Sequence, residues 1–139
     1  MTRLLLRCVL LCCLVLLAGC PKSASKGTAL EEIQYAYSAA IRWGDFEGAY
    51  NLVDPKVRKE HPLTDIDFSR YKQVQISGYT DQGGSMSPSG EVTRDIQIGV
   101  INRNTLAERT VRYRERWRYD ETAKSWWLVS GLPNLWPDD

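Results

Sequence analysis

Three patterns of hydrophobic and polar positions follow one another along this chain. From Cys8 to Leu17 the residues are uniformly apolar. From Thr28 the apolar positions recur every three or four residues. Leu30, Ile33, Tyr37, Ala40 and Ile41 thus form one stripe, which predicts an amphipathic helix. Thr28 and Glu31 have the T-x-x-E spacing of a capping box, placing the predicted helix start at Thr28. Gly44 suits a left-handed C-cap. Asp45 then caps a second short helix carrying Phe46, Ala49, Tyr50, Leu52 and Val53. Asp54-Pro55 restarts a helical turn, His61-Pro62 ends it, and Leu63 to Ser69 predict one more short turn.

Beyond Tyr71 the period becomes two. Val74 and Ile76 alternate with glutamines in a first strand that ends near Thr80, and Asp81 to Gly90 read as a loop punctuated by Gly83-Gly84 and Ser87-Pro88. A second strand is predicted over Glu91–Asn102, a third over Thr105–Tyr119 and a fourth over Ser125–Ser130. With Arg103-Asn104 as a two-residue turn, Ile96 faces Val111 and Val100 faces Ala107 on one side. On the other side Asp95 faces Arg112 and Glu91 faces Arg116. That register matches apolar to apolar and acid to base, each charge pair contributing about 0.2–1 kcal/mol. Helices first and antiparallel hairpins afterwards define an α+β fold, with N-terminal helices packed on a curved, mostly antiparallel sheet.

The apolar run at the start follows Arg3 and Arg7 and is too short to span a bilayer, for which about 20 residues are needed. It closes with Leu17-Ala18-Gly19-Cys20, which resembles the lipobox of bacterial lipoproteins. The resemblance implies cleavage before Cys20 and a lipid on its sulfur, so that the membrane is the first partner. Residues 1–19 then form the signal peptide, 20–27 a flexible polar tether and 28–139 the domain. The lack of Asp after Cys20 resembles sorting to the outer membrane. Lys22-Ser23 resembles an inner-membrane retention signal in some Gram-negative bacteria, so both membranes stay open.

Cysteine usage agrees with this reading. The four cysteines are Cys8, Cys12, Cys13 and Cys20, so after cleavage no thiol remains to pair with Cys20. The chain has 18 basic and 17 acidic residues, and losing Arg3 and Arg7 leaves it near neutral. That balance argues against nucleic acid as a partner. No Gly-rich phosphate loop, G-x-S-x-G or H-E-x-x-H occurs, and no metal site or cofactor is expected. An oxygen-only calcium site stays open.

Trp43-Gly44-Asp45-Phe46-Glu47-Gly48-Ala49-Tyr50, together with the ending Trp117-Arg118-Tyr119-Asp120 and Trp126-Trp127-Leu128-Val129, is similar to the NTF2-like (SnoaL-like) superfamily. The resemblance spans Thr28 to Pro133. It implies a curved sheet wrapped around a long helix, with a conical cavity, and often dimerisation through the outer sheet face.

Two groups of residues are candidates for function. Arg94, Arg109, Tyr113 and Glu115 share the inner strand face, where Arg94 and Glu115 lie diagonally across the pair. They either line a cavity that binds a small carboxylate or phosphate, or form a half-exposed charge pair at the sheet's end. Arg118, Trp127 and Val129 lie on the outer face, where Trp127 opposes Arg118 and can stack on it or anchor a protein interface. His61, the one histidine, reads as a solvated helix end rather than a catalytic base. The leading expectation is a non-enzymatic, lipid-anchored envelope protein that binds a partner or its own copy. The alternative is a small-ligand binder or a lyase- or isomerase-like enzyme working in the cone.

Overall fold

In a computed structural model, which describes residues 25–136, four helices pack against an open, curved, four-stranded antiparallel sheet. The α+β architecture is as the sequence predicts. The expected signal peptide, the expected lipobox with Cys20 and most of the expected tether lie outside the described residues.

Helix α1 spans Lys26–Trp43. Its N-cap is Ser25, whose hydroxyl accepts from the Thr28 backbone N–H at 3.2 Å. The predicted capping box at Thr28 and Glu31 does not form, because Ser25 takes the orphan donor first and Thr28 lies inside the helix. Helix α1 therefore takes up the last two residues of the 20–27 tether. The Trp126 indole Nε1–H donates to the Lys26 carbonyl at 2.9 Å, binding this first turn to the sheet. Gly44, at φ 75° and ψ 16°, ends α1 as the left-handed cap the sequence predicts.

Helices α2 (Phe46–Tyr50), α3 (Pro55–Glu60) and α4 (Asp65–Tyr71) follow. Asp45 caps α2 through the Gly48 N–H at 2.8 Å, and Asp54 caps α3 through the Lys56 N–H at 2.8 Å. His61 is the exposed C-cap of α3. The capping box that does form joins Thr64 and Asp67 at the start of α4.

The strands β1 (Val74–Met86), β2 (Val92–Asn102), β3 (Glu108–Asp120) and β4 (Ser125–Leu128) lie in chain order. Strand β1 runs six residues past its expected end. The residues read as loop are absorbed by a bulge between Asp81 and Gly84, where Gly83 sits at φ 113° and donates to the Asp81 carboxylate at 2.7 Å. Gly84 must stay a glycine, since a Cβ there would lie 2.0 Å from the Thr93 carbonyl oxygen.

The β2–β3 register differs by two residues from the expected one. Ile96 opposes Tyr113, Asp95 opposes Arg114, Val100 opposes Arg109, and Arg94 lies directly across from Glu115. Arg103-Asn104 is not a two-residue turn. Asn102 and Ala107 close a longer loop, in which the Asn102 side chain accepts from the N–H groups of Asn104 and Thr105. Leu106 there adopts φ 58°. An even-numbered slip keeps every side chain on its expected face, so the division into inner and outer residues holds although the pairs change.

The core lies between α1 and the inner sheet face. Leu30, Tyr37 and Ile41 of α1 meet Ile96, Ile98, Val111, Trp117, Trp126 and Leu128, with Tyr37 edge-on to Trp117 at 5.7 Å between ring centroids. The far end of this face is closed by the segment 131–136. Leu135 is fully buried, Tyr71 donates to the Pro133 carbonyl at 2.9 Å, and the Tyr71 ring stacks on Phe46. Burial pushes the Tyr71 hydroxyl up to about 12.

The two sheet edges are finished differently. Beside β4, Asp54 N–H donates to the Leu128 carbonyl and Leu128 N–H to the Leu52 carbonyl, and Val53 forms a parallel bridge to Leu128. Strand β1 has a strand neighbour on one side alone among the described residues.

Candidate functional site

The inner face carries a polar cluster centred on Glu115, which is fully buried in the middle of β3. Both of its oxygens are used. Arg94 donates from Nε and Nη2 at 2.9 Å each, Trp117 Nε1–H donates at 2.6 Å, and the Tyr79 hydroxyl completes the set. Arg94 is also 3.4 Å from Asp81 at the bulge. A carboxylate offers about four lone-pair sites, and four donors from the chain occupy them here.

Beside it stand two more buried hydroxyls. Tyr37 and Tyr113 contact each other at 3.1 Å, and Tyr113 donates to the Gly131 carbonyl at 2.6 Å. Burial, reinforced by neighbouring tyrosines and the Glu115 charge, holds the Tyr37 hydroxyl well above its ordinary value. Tyr79 is raised likewise, by burial first and then by Glu115. Tyr113 is raised by burial, although its bonds to Ser130 and Tyr37 pull the other way. All three are therefore neutral donors near neutral pH, and none is a tuned base.

The four inner candidates do not converge. Arg94 and Glu115 form one closed ion pair. Tyr113 connects to that region through Tyr37 and otherwise holds the 131–136 segment. Arg109 lies six residues along the strand from Glu115, about 20 Å away, and its guanidinium donates to the Leu135 carbonyl. Two of the expected cavity-lining residues thus hold the chain's own C-terminal segment, which occupies that end of the inner face. Tyr79 and Trp117 complete the cluster without having been singled out from sequence. Tyr79 is masked because the bulge between Ile76 and Gly78 inverts the strand's parity just before it. Gly78 in mid-strand is the available cue.

On the outer face, Arg118 opposes Trp127 as expected. Its guanidinium, however, does not stack on the indole but reaches the buried Asp54 carboxylate. Trp127 and Val129 are half-buried, and Val129 N–H donates to the Arg116 carbonyl at 2.8 Å. Arg114 pairs with Asp95 at 2.6 Å and Arg116 with Glu91 at 3.3 Å. The arginine stripe is therefore largely matched by acids of this chain. Among the described residues there is no group of three or more His, Cys, Asp or Glu placed to hold a metal ion, and no helix long and apolar enough to cross a membrane.

Burial of Asp54 alone would raise its pKa, but the bonds from Arg118 and the Lys56 N–H outweigh it and hold the carboxyl below its usual range. A lowered folded-state pKa adds stability above the unfolded value of about 3.9, and this is lost as pH falls through the folded value. Arg118→Ala leaves Asp54 buried without its cation and should cost about 1–3 kcal/mol at pH 7. The difference from the parent protein should shrink as urea melts are repeated at falling pH, through the range in which Asp54 takes up its proton. A difference that stays constant across that range would show that Arg118 stabilises by packing.

Compared with protein-family models and with curated proteins, the chain gives no match. Among solved structures it is similar to a SEC-C motif-containing protein from Psychrobacter arcticus, at a TM-score of 0.53 and 9% identity. The alignment covers 82% of this chain and 67% of that one, and at this identity it is a likeness of fold alone.

Proposed function

We propose that this is a lipid-anchored protein of the bacterial envelope whose NTF2-like domain works as a binding module rather than as an enzyme. The observation that supports the non-enzymatic reading is the closure of the inner cluster. Every lone pair of Glu115 is engaged by the chain, Tyr37 and Tyr113 are bonded to each other, and Arg109 and Tyr113 hold the 131–136 segment. A general base needs a free lone pair within reach of a substrate proton, and this carboxylate has none.

The anchor rests on Leu17-Ala18-Gly19-Cys20 and the basic, apolar stretch before it. Helix α1 begins at Lys26, so the few residues between Cys20 and Ser25 set how far the domain stands from the bilayer. At an extended reach of about 3.3–3.6 Å per residue, this is under about 20 Å. A domain held that close meets partners in the same membrane plane at raised effective concentration, which favours weak protein contacts.

In a Gram-negative host, the protein should incorporate radiolabelled palmitate and fractionate with membranes. Cys20→Ser should abolish labelling and leave a precursor longer by the signal peptide. A Cys20→Ser protein that matures to normal size would overturn the lipid anchor. The outer face around Trp127 is one candidate contact for a second copy, and Trp127→Asp should then lower the sedimentation coefficient.

A further inference from the structure

Strand β1 and helix α1 border a groove of about 660 Å3 between the sheet's open edge and the side of the helix turned away from the core. Within ligand-site dimensions this is a mid-sized depression. Its helix wall carries Tyr35 and Trp43, the latter 87% exposed. Its strand wall is the stretch from Ile76 to Thr80.

We infer that this groove binds an extended, carboxylate-bearing segment of another protein, which adds as a strand to the free edge of β1. The inference gives the proposed binding module its site and partner class, and so rests on that reading. Three observations carry it. Among the described residues the chain covers the β4 edge with its own residues 52–54 but gives β1 no outer strand, so apart from the Tyr79 carbonyl that Arg42 takes, this edge has no backbone partner strand. Arg42 is, among the described residues, the one formally charged side chain lining the groove. It donates to the Tyr79 carbonyl at 2.9 Å, which fixes the guanidinium at the edge, and no carboxylate among the described residues pairs with it. Trp, Tyr and Arg are the residue types that dominate protein interfaces, and here all three stand together, unlike the acid-matched arginines of the outer face.

The charge of the groove selects the partner. A single cation in a groove that also carries Tyr35 and Trp43 fits an extended segment with one Asp or Glu among apolar side chains. A basic segment would meet Arg42 unfavourably.

Arg42 supplies the test. Random dodecapeptides displayed on phage are selected against the full chain, and the enriched sequences are synthesised and titrated by fluorescence anisotropy. Enriched peptides should carry an acidic residue among apolar ones. Arg42→Glu, which reverses the charge of the groove, and Trp43→Ala should each weaken binding by about tenfold or more. Melting temperatures of both variants should stay close to the parent value, because both side chains are exposed. Peptide binding that survives Arg42→Glu, or enriched peptides without an acidic preference, would overturn the inference. So would a result in which Arg42→Glu breaks up a dimer and no peptide binds, which assigns the groove to a second copy. Binding lost in Trp127→Asp but kept in Arg42→Glu would leave the binding module standing and remove the groove. Normal maturation of Cys20→Ser would remove the lipid anchor and leave the groove untouched.

Discussion

Glu115→Leu should destabilise the protein by about 3–5 kcal/mol, measured by urea unfolding at neutral pH. The substitution keeps roughly the side-chain volume but removes the buried carboxylate bound to Arg94, leaving the half-exposed Asp81 at 3.4 Å as its counter-charge. Arg94 has a side chain only 17% exposed, so it cannot regain full hydration without leaving its place. Breaking a buried pair by deleting one member costs this much because the remaining charge stays desolvated. The Tyr79 hydroxyl and the Trp117 N–H lose their acceptor in the same step. Arg94→Met combined with Glu115→Leu should recover most of the loss, since replacing both members by apolar groups removes the stranded charge. A double variant as unstable as the single one would show that the hydroxyl and indole bonds, not the ion pair, carry the effect.

Trp117→Ala should cost a similar amount, about 3–5 kcal/mol, for a different reason. Trp117 is fully buried and packs edge-on against Tyr37, so its removal opens a cavity between α1 and the sheet. The two contributions can be separated. Trp117→Phe keeps most of the ring but loses the Nε1–H donor to Glu115, and should cost about 1–3 kcal/mol. In the Glu115→Leu background the same change should cost less, because the acceptor is already gone. Equal costs in both backgrounds would mean that the indole N–H contributes nothing beyond packing.

These effects fall on residues that the alternation of apolar and polar positions places correctly by face. Glu115 and Trp117 occur at odd positions of β3 together with Val111, and Arg94 shares parity with Ile96 and Ile98 on β2. Parity alone therefore assigns all of them to the inner side. It does not assign partners. The two-residue shift of the hairpin, set by how Asn102 and Ala107 close the loop, turns the diagonal relation of Arg94 and Glu115 into a direct one. It also moves Asp95 from Arg112 to Arg114. Turn geometry depends on backbone angles such as the positive φ of Leu106, and leucine carries no signal for that conformation.

The helical region divides in the same way. The caps at Gly44, Asp45 and Asp54 are readable because each residue's chemistry acts on backbone groups close by in the chain. The start of α1 is misplaced by sequence because Ser25 and Thr28 are both competent caps. The longer helix is favoured once Trp126, a hundred residues away, binds the Lys26 carbonyl.

The sequence by itself determines the α+β class, the inner and outer strand faces, and the local caps, because these follow from periodicities of two and 3.6 and from short-range hydrogen bonding. The proposed lipidation of Cys20 rests on four adjacent residues, Leu17 to Cys20. Tertiary structure alone decides that Glu115 is closed by four donors, that Arg109 and Tyr113 hold residues 131–136, and that Arg118 reaches Asp54. Among the described residues it also leaves one sheet edge covered and the other without a partner strand. Those outcomes depend on which distant segments meet, and that is fixed by loop closure, two strand bulges and the packing of α1 across the sheet.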